Sequence, residues 1–138
     1  TDNWERADDT EFEHIGTGMS ESSGVFSFPS TGKYLVTFHP MYTNRGGGTN
    51  YSHVYFYSEI SVTEDNSSYV QSAQQNGSFD NGGGGEFYQS ATVQYLVDVT
   101  NTTNVKVKVG FYLANPTTVL GDSNLNTTSV NFMRIGDT

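Results

Sequence analysis

The sequence predicts an all-β protein, built as an antiparallel sandwich of two packed sheets. Asn, Ser, Thr and Gly are abundant, whereas the helix formers Ala, Leu and Lys are scarce. From residue 24 onward apolar side chains recur with a period of two, and Gly- and Asn-rich turn signals separate the runs. Roughly eight to ten short strands with long polar loops favour a sandwich, and eight strands in two Greek keys would make it a jelly roll.

The chain of 138 residues divides into an acidic N-terminal arm, residues 1–21, and a predicted jelly-roll domain, residues 22–138. The arm holds seven carboxylates and one arginine, a charge density that disfavours a self-folding segment, although residues 11–15 could form a first strand. Three large apolar side chains of the arm are costly to leave in water: Trp4, Phe12 and Ile15. We therefore expect the arm to become ordered on a partner subunit rather than on its own core.

A tight turn joins two alternating apolar runs at the start of the predicted domain. In Pro29-Ser30-Thr31-Gly32, the proline presets φ and the glycine supplies the positive φ that closes the turn. After the turn, Tyr34, Val36 and Phe38 fall on one face of a strand. We expect this face to point into the sandwich.

Alternating apolar residues also predict the later strands. These strands lie at residues 54–62, 68–74, 91–99, 105–113, 117–120 and 129–135. Asn76-Gly77 is one of the turn signals between them. The later residues expected to point into the sandwich are Val107, Val109, Phe111, Met133 and Ile135.

The motif G-x-F-x-F-P-x-x-G-x-Y-x-x-x-F at residues 24–38 resembles the second and third strands of the trimeric jelly rolls typified by the tumour-necrosis-factor and complement globular-head superfamily. Residues 129–135 are similar to the closing strand of that family, although Arg134 interrupts its apolar run and Val130 stands where an aromatic residue is usual. The resemblance implies a homotrimer whose third and last strands face the threefold axis. The interface residues that it implies, expected on the faces opposite the core, are Leu35, His39, Val130 and Phe132.

The whole chain is also similar to small virion structural proteins of the decoration type from tailed phages of marine hosts, in its F-P-x-x-G-x-Y opening and its M-R-I-G-D-T ending. This similarity implies a non-enzymatic capsid decoration or cement protein on the capsid surface of a virion. Its partners would be the major capsid protein or other virion subunits. One alternative is a receptor- or glycan-binding head of a phage fibre. Another is a secreted trimeric signalling ligand of the tumour-necrosis-factor type, against which the absence of cysteine counts.

A stripe of aromatic residues on the predicted strand near residue 55 is the best candidate binding surface. Tyrosine combines a large apolar area with a polar tip and is enriched at interfaces. Together with the apolar residues of the arm, the expected partner-binding residues are Trp4, Phe12, Ile15, Tyr51, Tyr55 and Tyr57.

Composition argues against several other functions. A net charge of −9 with only six Lys and Arg disfavours nucleic acid and anionic membranes as partners. The histidines lack metal-site or nucleophile spacing, and the run at residues 82–85 lacks the Lys-Ser/Thr of a phosphate-binding loop. We therefore expect no enzyme activity, no cofactor and no metal, with calcium binding by the acidic arm left as an open alternative.

Overall fold

The structure, a computed structural model, describes residues 4–6, 14–44, 54–79, 86–114, 118–122 and 124–138. Within these ranges the chain contains antiparallel sheets and no helix, which confirms the all-β prediction. The strands are β1 (Ser20–Ser22), β2 (Val25–Ser27), β3 (Gly32–His39), β4 (Met41–Thr43), β5 (Val54–Thr63), β6 (Val70–Phe79), β7 (Tyr88–Ser90), β8 (Val93–Val99), β9 (Lys106–Leu113), β10 (Thr118–Leu120) and β11 (Ser129–Gly136).

The strands form one five-stranded sheet and two three-stranded sheets. The order of the five-stranded sheet is β1-β2-β9-β5-β6. The other two sheets have the orders β11-β3-β8 and β10-β4-β7, and β4 follows β3 after the single residue Pro40. Most neighbours in these sheets are far apart in the sequence, so long connections carry the chain between the sheets.

The main core lies between the five-stranded sheet and the β11-β3-β8 sheet. Its buried side chains come from both sheets and include Phe26, Phe28, Tyr34, Val36, Phe38, Ile60, Val93, Val97, Val99, Val105, Val107 and Val109. A second cluster is formed by Tyr42, Phe56 and Ala91, and the half-buried Phe111 packs against both clusters. The predictions that Tyr34, Val36, Phe38, Val107 and Val109 point inward are therefore confirmed.

The prediction for β11 is wrong, because this strand presents its opposite face to the core. Met133 and Ile135 are 63% and 55% exposed, whereas Val130 and Phe132 pack against the main core. The pairing of β11 with β3 explains the difference, because directly opposite residues lie on the same side of a sheet. Phe132 pairs with the buried Val36, and the ring of Phe132 lies 5.1 Å from that of Phe26, centroid to centroid.

The turn before β3 contains the predicted positive-φ glycine, and it carries the chain from one sheet to the other. Gly32 has a φ of 141°, and a Cβ at this position would lie 2.6 Å from Nε of Arg134. Nε of Arg134 donates a hydrogen bond to the carbonyl of Thr31 at 3.2 Å, and Nη2 forms an ion pair with Asp137 at 2.6 Å. Arg134 interrupts the expected apolar run because it closes this turn.

In the described part of the N-terminal arm, Trp4 packs on the main core of its own chain, and its expected contact with a partner stays a prediction. The Trp4 ring meets the rings of Phe26 and Phe38 edge-on, with centroids 5.6 and 6.1 Å apart. Nη2 of Arg6 donates to the carbonyl of Met19 at 2.5 Å, next to β1. His14 and the fully exposed Ile15 lie outside any strand, and residues 11–13 of the possible first strand, including the predicted partner-binding residue Phe12, fall outside the described residues.

Asn76-Gly77 is not a turn, because both residues lie inside β6. Gly77 is directly opposite Phe56 on β5, and the Phe56 ring fills the space that a Cβ of Gly77 would occupy. A glycine inside a strand often marks such a close approach. The packing of a neighbouring aromatic ring therefore accounts for this glycine.

Candidate binding surfaces

Three apolar side chains form a continuous row on the outer surface of the β11-β3-β8 sheet. Leu35 on β3 pairs directly with Met133 on β11 and with Leu96 on β8. Leu96 is 53% exposed, Met133 is exposed as well, and Leu35 is half-buried between them. We call these three residues the apolar row; Ile135, two residues beyond Met133 on β11, is exposed as well. Single exposed apolar residues are ordinary, whereas a contiguous group of them is a candidate interaction site.

Polar residues flank the apolar row on both sides. On one side Lys33 and Asp98 occupy paired positions on β3 and β8. On the other side Nε2 of Gln94 donates to Oγ1 of Thr37 at 3.0 Å. Farther along β3, Nδ1 of His39 lies 2.5 Å from Oγ1 of Thr92. An apolar centre with a polar rim is the usual composition of a protein–protein interface.

The predicted interface residues divide between the two faces of this sheet. Leu35 and His39 lie on the outer face, as expected. Val130 and Phe132 lie on the opposite face, where they are partly buried against the main core. Their outer-face counterparts Met133 and Leu96 were not identified from the sequence.

A cluster of three tyrosines lies on the outer surface of the five-stranded sheet. Tyr57 on β5 pairs with Tyr112 on β9, and their rings are stacked with centroids 5.4 Å apart and planes 13° apart. The Tyr55 ring lies 6.0 Å from that of Tyr57 and 6.1 Å from that of Tyr112. We call this cluster the tyrosine face. Tyr55 and Tyr57 were predicted as binding residues, Tyr112 was not, and Tyr51 falls outside the described residues.

Amide side chains on β6 and one carboxylate on β5 continue the tyrosine face. The Tyr55 hydroxyl donates to Oδ1 of Asn76 at 3.1 Å, and Nε2 of Gln74 donates to the same oxygen. Nε2 of Gln71 donates to Oε1 of Gln74 at 2.5 Å and to Oε2 of Glu59 at 2.8 Å. This chain of hydrogen bonds fixes the orientation of each amide.

Beyond Tyr112, the next outward position of β9 is Gly110, which lies directly opposite Glu59 on β5. The Glu59 side chain lies across this glycine, with Oε1 2.8 Å from the position of a Cβ on Gly110. On the far side, Nζ of Lys108 sits 4.0 Å above the centre of the Tyr69 ring. One carboxylate and one ammonium therefore lie beyond the tyrosine rings at this end of the face.

No three His, Asp or Glu side chains come together to hold a metal ion among the residues that the structure describes. The same residues include no helix that is long and apolar enough to cross a membrane. The expected absence of a cofactor, and calcium binding by the acidic arm, stay untested predictions.

Neither the comparison with protein-family models nor the search of curated proteins finds a match for this chain. The two surfaces are therefore interpreted from their own chemistry.

Proposed function

We propose that this chain is a non-enzymatic structural subunit of a virus particle, a capsid decoration protein that assembles as a jelly-roll homotrimer. The observation that carries the proposal is the apolar row at Leu35, Leu96 and Met133, with its polar rim. The virion context is supported by the similarity of the opening and closing motifs to small phage virion proteins. The trimer is supported by the resemblance of residues 24–38 to trimeric jelly rolls.

The strand order supports the jelly roll. In the five-stranded sheet β9 lies between β2 and β5, and in the other sheet β3 lies between β11 and β8. Strands that are distant in sequence thus alternate between two facing sheets, as Greek-key connections require.

Self-association through the apolar row has a clear energetic basis. Full burial of a Leu or Met side chain stabilises by about 1.5–3 kcal/mol relative to leaving it in water. Leu96 and Met133 have more than half of their surface exposed in the single chain, so much of that free energy is still to be gained. A threefold arrangement would bury the row of each copy against its neighbours while leaving the opposite sheet free for other contacts.

Site-specific cross-linking tests the placement of the trimer contact. The chain contains no cysteine, so one introduced thiol reports on one position. We expect the Met133→Cys variant to form covalent trimers with a short trifunctional maleimide. The matched control is Leu125→Cys, because Leu125 is equally exposed at 63% but lies outside the sheets. Equal cross-linking of the two variants, or none with Met133→Cys, would contradict this contact.

Analysis of purified particles tests the virion role separately. The chain should be detected by mass spectrometry in particles of the source virus, in a fixed ratio to the major shell subunit. Its absence from purified particles would refute the decoration role. Recovery only with detached fibres would instead favour the fibre-head alternative.

A further inference from the structure

The tyrosine face has unused aromatic surface, and this surface lies on the side of the sandwich opposite the apolar row. Tyr55 and Tyr112 are 43% and 47% exposed, so core packing leaves almost half of each side chain uncovered. A trimer built through the apolar row would keep this face accessible. The proposed trimer therefore does not explain why these tyrosine rings are exposed.

The polar groups of this face are fixed in position but not saturated. Nδ2 of Asn76 and the hydroxyls of Tyr57 and Tyr112 have no hydrogen-bond partner among the described residues, while the amides beside them are held in place by each other and by Glu59. An amide offers two donors and a carbonyl acceptor, and a carboxylate offers only acceptors. The tyrosine face thus presents hydrogen-bond donors and acceptors at defined positions next to the tyrosine rings.

The charge of the face is balanced. Glu59 and Lys108 are its charged residues in the part of the chain that the structure describes, and the ammonium of Lys108 is engaged by the Tyr69 ring. The chain as a whole carries a net charge of −9, which opposes a polyanionic ligand. These charges favour a neutral ligand.

The extent of the face suits an extended ligand. Tyr55 and Glu59 are four residues apart on β5, which spans about 13 Å, and strands β6, β5 and β9 together span about 10 Å across. Gly110 lies beside Tyr112 at one end of this platform, with the Glu59 side chain across it. A short chain of linked rings that carry hydroxyl groups around their edges would fit these dimensions.

We propose that the tyrosine face is a binding site for a neutral oligosaccharide. One face of a sugar ring presents C–H groups, which are attracted to the electron-rich face or edge of tyrosine rings. The hydroxyls around the sugar ring would exchange hydrogen bonds with Asn76, Gln74 and Glu59. Rigid tyrosines beside amide groups that offer both donors and acceptors form a combination that suits recognition surfaces generally. This inference does not depend on the trimer or on the decoration role.

The test is binding of the full chain to an array of neutral oligosaccharides, followed by calorimetric titration with the strongest ligand. We expect Tyr112→Ala and Gln74→Ala each to weaken binding tenfold or more. Tyr112→Phe, which keeps the ring, should stay within a few-fold of the unchanged protein. The matched control is Tyr95→Ala, because Tyr95 is an exposed tyrosine on β8, in the other sheet.

Thermal melts of each variant separate loss of binding from loss of folding. The proposal is overturned if no neutral oligosaccharide binds, or if a folded Tyr112→Ala variant binds as well as the unchanged chain. Binding only to anionic glycans, with strong weakening by salt, would overturn the neutral-ligand assignment. If Tyr112→Ala abolishes trimer formation or particle attachment while no sugar binds, the face is a protein interface and the proposal is wrong.

Discussion

At the scale of single residues, the packing of Phe56 depends on Gly77 having no side chain. A Cβ on Gly77 would lie 2.7 Å from Cε2 of the buried Phe56 ring, and closer still to Cζ. We expect Gly77→Ala to destabilise the fold by about 1–3 kcal/mol, because the ring must leave its position in a packed cluster. Urea denaturation measures this, with Gly121→Ala as the control, since a Cβ there meets nothing within 4 Å. Equal stability of both variants would contradict the close packing.

A second residue-scale prediction concerns a buried tyrosine hydroxyl. Burial raises the pKa of Tyr42 to about 12, although the hydrogen bond with Ser58 at 2.6 Å partly opposes the rise. An unfolded tyrosine ionises near pH 10, so above about that pH the unfolded chain loses a proton that the folded chain keeps. The contribution of Tyr42 to the stability of the fold is therefore fully present below about pH 10. It is lost as the pH rises towards the pKa of Tyr42 in the folded protein.

The Tyr42→Phe variant tests this linkage. At neutral pH it should be less stable by about 1–3 kcal/mol, because the buried Ser58 hydroxyl loses its partner. Since phenylalanine does not ionise, the stability advantage of the unchanged protein should shrink as the pH rises from about 10 towards about 12, the unfolded and folded pKa values of Tyr42. An advantage that stays constant with pH would show that Tyr42 is not shielded from solvent.

At the scale of elements, the turn between β5 and β6 is organised by one carboxylate. Oδ1 of Asp65 accepts hydrogen bonds from the backbone N–H of Ser68 at 2.7 Å, from Oγ1 of Thr63 at 2.8 Å and from the backbone N–H of Ser67 at 2.8 Å. These hydrogen bonds hold the pKa of Asp65 well below its usual range, and the bond from the Ser68 backbone has the largest effect. In the same turn, the backbone N–H of Asn66 donates a hydrogen bond to the carbonyl of Asn104 at 3.0 Å. This bond joins the turn to the loop before β9.

Because the folded pKa of Asp65 is depressed, its contribution to stability is present above about pH 4 and is lost as the pH falls further. We expect Asp65→Ala to lower the melting temperature at pH 7, and the gap between variant and unchanged protein to narrow in acid. The control is Glu64→Ala, which removes the neighbouring exposed carboxylate. A gap that is the same at pH 7 and in strong acid would argue against a charged hydrogen-bond acceptor in this turn.

The elements also show what periodicity can and cannot predict. In β3 only one phase is strongly apolar, so the inward positions of Tyr34, Val36 and Phe38 follow from the sequence. In β11 both phases carry large apolar residues, and only pairing with β3 selects Val130 and Phe132 for the core. Asn76-Gly77 has the composition of a hairpin turn, but a ring on the neighbouring strand explains its glycine.

The candidate surfaces were only partly predictable from the sequence, because they depend on which strands pair with each other. Tyr55 and Tyr57 alternate within one strand, so their shared face is visible in the sequence. Tyr112 joins them only because β9 pairs with β5, and the apolar row exists only because β8 and β11 both flank β3. Residues brought together by cross-strand register leave no local signal.

At the scale of the whole molecule, the N-terminal arm contributes to the folded domain through Trp4. Its half-buried ring packs on Phe26 and Phe38, so Trp4→Ala removes aromatic contacts from the main core. We expect a loss of roughly 2–4 kcal/mol, somewhat less than for a fully buried aromatic side chain. Ile15→Ala is the control, because Ile15 is fully exposed. If chemical denaturation shows the two variants to be equally stable, Trp4 does not belong to the core.

The two outer faces of the sandwich have different chemistry, and this difference supports separate roles for them. The β11-β3-β8 sheet presents the apolar row, which suits burial against identical copies. The five-stranded sheet presents tyrosines and amides, which suit a partner that exchanges hydrogen bonds. Assembly through one face and recognition through the other are therefore compatible in one molecule.

Self-association through the apolar row is the central claim, and sedimentation velocity at micromolar concentration tests it most directly. The unchanged chain should sediment with three times its 15.1 kDa mass. Met133→Asp should sediment as a folded monomer, because a trimer would bury three unpaired carboxylates near one axis. Leu125→Asp, which changes an equally exposed residue outside the sheets, should remain a trimer. A monomeric unchanged chain, or a Met133→Asp variant that still sediments as a trimer, would contradict the claim.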